Sequence, residues 1–229
     1  MRNIHFTTEQ KLLHRLVLHA NDMPVSGLFN GQMGIVVVLA KYARFYNLPS
    51  LETAVDFLME QIMNRLTTLT PPDLGNGLAG VGWGIEYLLQ NGYTKGCGAE
   101  ICEEIDRKLM EYDVRRINDL TLQTGLEGIL HYVTAHIQGA NADGHNVFDT
   151  TYLIDWQTKL ATCQETGLTR PEMNKLAATF TCTLQGIPQS YTWSLQPFIQ
   201  TSISRRTTLL GLHNGVAGLL ALQMEGGEA

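Results

Sequence analysis

The most suggestive chemistry in this sequence lies in two polar side chains four residues apart. Glu127 and His131 follow a glycine turn, and their spacing places both on one face of a helix. Such a pair can act in acid–base catalysis or bind a ligand, although a plain intrahelical hydrogen bond is the favoured interpretation. His213 precedes another glycine turn, where it could bind a metal or a substrate carboxylate or serve a structural role. The candidate catalytic residues are therefore His213, Glu127 and His131.

The cysteine and histidine spacings do not suggest a metal site. Cys97 and Cys102 are five residues apart, which is poor geometry for tetrahedral coordination, and Cys163 and Cys182 stand alone. His131 and His136 are also five apart and off a common helix face. We therefore predict free thiols, no metal ligands and no bound cofactor.

Two further sets of residues allow either a structural or a functional interpretation. Trp83 and Tyr87 are four apart and could form an aromatic wall for a peptide or a sugar, but core packing is favoured. A carbohydrate-active enzyme would need paired carboxylates. The glycine turns offer Asp73, Glu127 and Glu165, which is a sparse set.

The elements that position these residues are marked by a recurring motif, Asn/Thr-Gly-x-x-Gly. Four copies are clean, and a worn copy has Arg170 in place of its second glycine. Numbered motifs 1 to 5 in chain order, the copies have their first glycine at Gly31, Gly77, Gly125, Gly167 and Gly215. Motif copies at such nearly regular intervals along the chain indicate a repeat architecture.

The segments between the motifs have helical patterns of two kinds. Residues 51–66 form an amphipathic stripe with Ser50 as the expected cap, and Thr7 with Gln10 forms a capping box for the first helix. Residues 35–40 are apolar on all sides, which predicts a helix buried on all sides. We predict an all-α single domain over residues 1–229, with about five helical hairpins in an inner and an outer layer. The residue before each first glycine is expected to cap the inner helix, and the second glycine to allow close packing.

Composition excludes some classes of function. The chain has 229 residues and a formal net charge of −6, which argues against a nucleic-acid binder. Its longest apolar run is too short for a membrane span, and its first residues lack the apolar region of a signal peptide. We expect a soluble, cytoplasmic protein.

The motifs resemble those of the lanthionine synthetase C (LanC-like) family. The resemblance is carried by residues 30–34, 76–82, 124–128 and 213–218, and as repeats it extends over nearly the whole chain. It implies an α/α toroid, partial or complete, whose inner helices begin around a cup. In the family's cyclases the cup holds zinc, bound by cysteines and a histidine, which activates a peptide thiol.

This chain departs from that pattern because no Cys-His pair precedes a motif glycine, and only His213 falls on a position of that pair. The resemblance therefore implies an accessory or degenerate relative of lanthipeptide cyclases that acts in peptide modification, without the zinc ligands. Its partner would be a peptide or a protein, and an incompletely closed ring would favour homo-oligomers. The alternatives are an α/α-toroid carbohydrate-active enzyme and a non-catalytic protein-binding scaffold.

Overall fold

The computed structural model describes residues 7–142, 144–187, 189–200, 202–204 and 206–226. These residues are all-α and contain no strand. The helices are α1 Thr8–His19, α2 Gln32–Tyr46, α3 Pro49–Arg65, α4 Leu78–Gln90, α5 Gly98–Ile101, α6 Glu103–Met110, α7 Leu126–Ala142, α8 Thr150–Glu165, α9 Pro171–Leu184 and α10 Val216–Gly226. Within the described ranges, no helix combines the length and the hydrophobicity that crossing a membrane requires.

The two kinds of helix follow the sequence patterns. Residues 35–40 of α2 are buried on every side, and α4 and α7 are buried over most of their length, as expected for inner helices. α3 buries only a stripe that includes Leu51, Leu58 and Ile62. The predicted capping box of α1 is confirmed, whereas the cap of α3 is Leu48 rather than Ser50, because Pro49 begins the helix.

In motifs 1 and 2 the first glycine is itself the helix cap, which corrects the role expected there for the residue before it. Gly31 and Gly77 are the N-caps of α2 and α4, in extended conformation and with no side-chain cap bond. The first helical N–H instead donates to a carbonyl seven residues upstream. This bond recurs in the four clean motifs: Gln32 to Val25 (3.1 Å), Leu78 to Pro71 (2.8 Å), Leu126 to Asp119 (2.8 Å) and Val216 to Leu209 (3.0 Å).

The worn motif 4 does not share this loop. Gly167 has φ +67° and follows the end of α8, and the next helix, α9, begins only at Pro171. α9 is amphipathic rather than buried all round. The fifth hairpin is also incomplete, because the described residues between α9 and α10 contain only one 3₁₀ turn, Gln196–Phe198.

The described chain divides into two compact units. Unit 1 comprises the residues up to Leu66 and those from Ser194 onward, and unit 2 is Thr67–Trp193. In unit 1, α2 packs on α3 and α10, and α1 packs on α10. In unit 2, α7 is central and packs on α4, α5 and α9.

In unit 1, motif 5 interlocks with motif 1. The N–H of His213, two residues before the first glycine of motif 5, donates to the carbonyl of Phe29, two residues before the first glycine of motif 1, at 3.2 Å. One residue earlier, Leu212 lies against Gly34, the second glycine of motif 1, where a Cβ would come within 2.8 Å of the leucine Cβ.

In unit 2, motif 2 interlocks with motif 3 in the same way. The N–H of Gly75 donates to the carbonyl of Gln123 at 2.8 Å, again between the positions two residues before each first glycine. Leu74 lies against Gly128, the second glycine of motif 3, with 2.7 Å between the leucine Cβ and an added Cβ. Gly34 and Gly128 thus admit the leucine of a neighbouring motif, as the close-packing prediction required for these two glycines.

Candidate functional site

His213 takes part in the interlock of unit 1. Its ring is stacked on that of Phe29, with centroids 4.8 Å apart and 5° between the planes, and its Nδ1–H donates to the Phe198 carbonyl at 2.9 Å. Since a carbonyl can only accept, Nδ1 of His213 carries the proton of this hydrogen bond. These contacts give His213 a structural role between the last and the first motif.

Glu127 lies at the start of α7 and is 3% exposed. Its carboxylate accepts a hydrogen bond from the guanidinium of Arg170, the N-cap residue of α9, and the two form an ion pair. The arginine that replaces the second glycine of motif 4 thus joins α9 to α7. Glu127 is committed to a charged partner on another helix.

His131 belongs to a hydrogen-bonded chain of three side chains in unit 2. The indole N–H of Trp83 donates to the Tyr191 hydroxyl oxygen at 2.8 Å, and this hydroxyl lies 2.5 Å from His131 Nδ1. Burial lowers the pKa of His131 to about 4 and raises the pKa of Tyr191. The imidazole is therefore neutral at pH 7 and accepts the tyrosine proton at Nδ1, so its own proton lies on Nε2.

This environment predicts acid sensitivity. An imidazole with a folded-state pKa near 4 stabilises the protein above its unfolded pKa of about 6.5, and that stability is lost as the pH falls towards 4. Between pH 7 and pH 4.5 the loss from His131 is about 2 kcal/mol. Urea unfolding at both pH values should show a correspondingly smaller loss in His131→Gln. The exposed His145→Gln should behave like the wild type, and equal acid sensitivity of all three proteins would contradict the assignment.

An aromatic cluster surrounds this chain. Trp193 lies 5.0 Å from Tyr191 and 6.0 Å from Trp83, measured between ring centroids. Tyr87 is stacked on Trp83 at 5.3 Å and on Tyr93 at 6.0 Å. Trp83 and Tyr87 are buried, as favoured from the sequence, whereas Trp193 and Tyr93 are half-buried and present aromatic surface to solvent.

A second polar cluster in unit 2 was not foreseen from the sequence. His136 on α7 lies between two carboxylates: its Nδ1 is 2.7 Å from Glu86 Oε1 on α4, and its Nε2 is 2.8 Å from Asp106 Oδ2 on α6. The Tyr132 hydroxyl donates to the other oxygen of Asp106 at 2.5 Å, and the Gln90 amide donates to Glu86 at 3.2 Å. All three charged side chains are almost completely buried.

The charges in this cluster compensate incompletely. Burial lowers the pKa of His136, but hydrogen bonds to Asp106 and Glu86 outweigh it and raise the pKa to about 9. Burial also raises the pKa of Asp106, although the hydrogen bond from His136 opposes it. With both carboxylates ionised, one imidazolium faces two negative charges, which is an unfavourable excess in a buried site.

The backbone makes room for Glu86. A Cβ on Gly98 or on Gly139 would collide with its carboxylate. The sequence contained a signal for this cluster, because Glu86 is the one charged residue within the apolar helix α4. A charge on a helix buried all round requires a partner, but nothing in the sequence identified His136 or Asp106 as that partner.

The remaining candidates are dispersed. Asp73 is buried and accepts the N–H of Asn76 at 2.7 Å within its own turn, and Glu165 is the exposed last residue of α8. All four cysteines are free thiols, as predicted; Cys102 is buried beside the Glu86–His136–Asp106 cluster, and burial raises its pKa.

Comparisons with known proteins do not identify a family. No family model, no curated protein and no solved structure matches this chain.

Proposed function

We propose that this protein is a LanC-like α/α toroid that acts in peptide modification, as an accessory relative of lanthipeptide cyclases without the family's zinc site. The observation that carries the proposal is the shared interlock of motifs. Motif 2 donates to motif 3, the next in the chain, through the same two positions by which motif 5 donates to motif 1. An array whose last repeat contacts its first with the polarity of consecutive repeats is what a closed ring requires.

The zinc site of the family's cyclases does not fit this chain. That site needs an adjacent Cys-His pair before a motif glycine, whereas here the pairs are Phe29-Asn30, Gly75-Asn76, Gln123-Thr124, Glu165-Thr166 and His213-Asn214. Nδ1 of His213 is occupied by the Phe198 carbonyl and its ring by Phe29. The residues at the motifs therefore do not provide the ligands of the family's catalytic zinc.

The half-buried aromatic residues supply the surface for a peptide. Trp193 and Tyr93 extend from the aromatic cluster, and His131 contacts Tyr191 of the same cluster. Aromatic side chains give large contact area at a low cost in conformational entropy, so they often dominate peptide recognition. The cluster consists of aromatic rings and the neutral imidazole of His131, so this surface favours apolar side chains over carboxylates.

The test uses a synthetic peptide with one dehydroalanine and a downstream cysteine. We expect the wild-type protein to bind it, observed as a change in tryptophan fluorescence, and not to accelerate thioether formation. Trp193→Ala should bind about tenfold more weakly, as expected when a contact aromatic is truncated.

The matched control is Tyr112→Ala, which removes an exposed aromatic residue of unit 2 that lies outside the aromatic cluster. It should bind like the wild type. Absence of binding, or equal affinity in all three proteins, would refute the peptide surface. Accelerated thioether formation would show instead that the protein is a cyclase.

A further inference from the structure

The polar cluster in unit 2 contains a set of ligands suited to a transition metal. One oxygen of Glu86, one nitrogen of His136 and the sulfur of Cys102 lie within 4.8 Å of one another, and all three residues are buried. They come from α4, from α7 and from the junction between α5 and α6. We propose that Glu86, Cys102 and His136 bind a zinc ion that joins these elements, away from the glycine motifs.

The mixture of donor atoms favours zinc. Zinc binds thiolate, imidazole and carboxylate in tetrahedral sites, whereas calcium and magnesium prefer oxygen ligands alone. Distances of about 2.0 Å to oxygen and nitrogen and about 2.3 Å to sulfur bring the donors of a zinc site within about 4 Å of one another. The present separations need only small side-chain movements to reach this geometry.

Asp106 would orient the histidine. Nδ1 of His136 faces Glu86, so it is the nitrogen that would share a metal with that carboxylate. Nε2 would then keep its hydrogen bond to Asp106, which is itself held by the Tyr132 hydroxyl. A ligating histidine whose second nitrogen donates to a carboxylate is the usual arrangement in protein zinc sites.

The three ligands also come from separate parts of unit 2. An ion bound by Glu86 on α4, by Cys102 between α5 and α6 and by His136 on α7 would link three helical segments more strongly than a hydrogen-bond network does.

The experiment measures metal in the full-length protein purified from zinc-supplemented culture. We expect stoichiometric zinc by mass spectrometry of the metal and one sulfur ligand by X-ray absorption. Cobalt exchanged into the same protein should show a thiolate-to-cobalt charge-transfer band. Cys102→Ser should lose this band, and Asp106→Asn should weaken metal affinity about 10- to 100-fold.

The matched control is Cys163→Ser, because Cys163 is also a buried free thiol but lies on α8 outside the cluster. It should keep both the zinc and the cobalt band. The proposal would be overturned if the purified protein contained no metal, if X-ray absorption showed no sulfur ligand to zinc, or if the cobalt charge-transfer band were lost in Cys163→Ser. X-ray absorption of the wild-type protein tests for the sulfur ligand even if Cys102→Ser does not fold. None of these outcomes depends on peptide binding.

Discussion

Gly34→Ala and Gly128→Ala should each destabilise the protein by about 3 kcal/mol, although alanine is the better helix former. A Cβ on either residue would collide with a backbone carbonyl six residues upstream and with the Cβ of the leucine from the interlocked motif. Neither obstacle is the flexible end of a side chain, so the backbone must move. This overpacking outweighs the gain of about 1 kcal/mol in helix propensity.

The comparison that tests this explanation is Gly167→Ala in the worn motif. No atom lies within 4 Å of a Cβ added there, so only the positive φ opposes alanine, at a cost of about 1 kcal/mol. Urea unfolding of the three variants should separate the two interlocked glycines from Gly167. Similar losses in all three would mean that the second glycines serve chain conformation and not the interlock between motifs.

The helices and the glycine motifs could largely be predicted from the sequence because the patterns that mark them are local. The glycine motifs and the two kinds of helical pattern depend on residues within one turn or one helix, and α2, α3, α4 and α7 were confirmed on that basis. The predictions that were wrong concern helix caps, for which neighbouring groups compete. Because Pro49 begins α3, its cap is Leu48 rather than Ser50, and the cap of α2 is Gly31 rather than Asn30.

The candidate site could be predicted less well from the sequence because its contacts join residues that are far apart in the chain. Glu127 and His131 were chosen as a pair on one helix face, yet the partners found for them are Arg170 and Tyr191, 43 and 60 residues away. Helical spacing shows which residues can meet along one helix, but not which side chains approach from another helix. The position of Glu86 in an apolar helix predicted a buried partner without identifying it.

Replacement of that partner, His136, should be strongly destabilising. In the metal-free protein, His136→Leu leaves Glu86 and Asp106 buried without a positive charge between them, and removing one member of a buried charge network costs about 3–5 kcal/mol. Urea unfolding at pH 7.5 measures this loss. The exposed His145→Leu should change stability by less than about 0.5 kcal/mol.

The pH dependence of the variant distinguishes uncompensated charge from lost packing. Without His136, the hydrogen bond that opposes the effect of burial on the pKa of Asp106 is lost, so this pKa is raised further, protonation stabilises the folded form and the deficit should shrink as the pH falls towards 5. Adding Glu86→Gln and Asp106→Asn to His136→Leu should recover part of the loss at pH 7.5 and abolish this pH dependence. A deficit that is independent of pH, and unchanged by the two amides, would assign the effect to the shape of the imidazole, since a cavity costs the same at every pH.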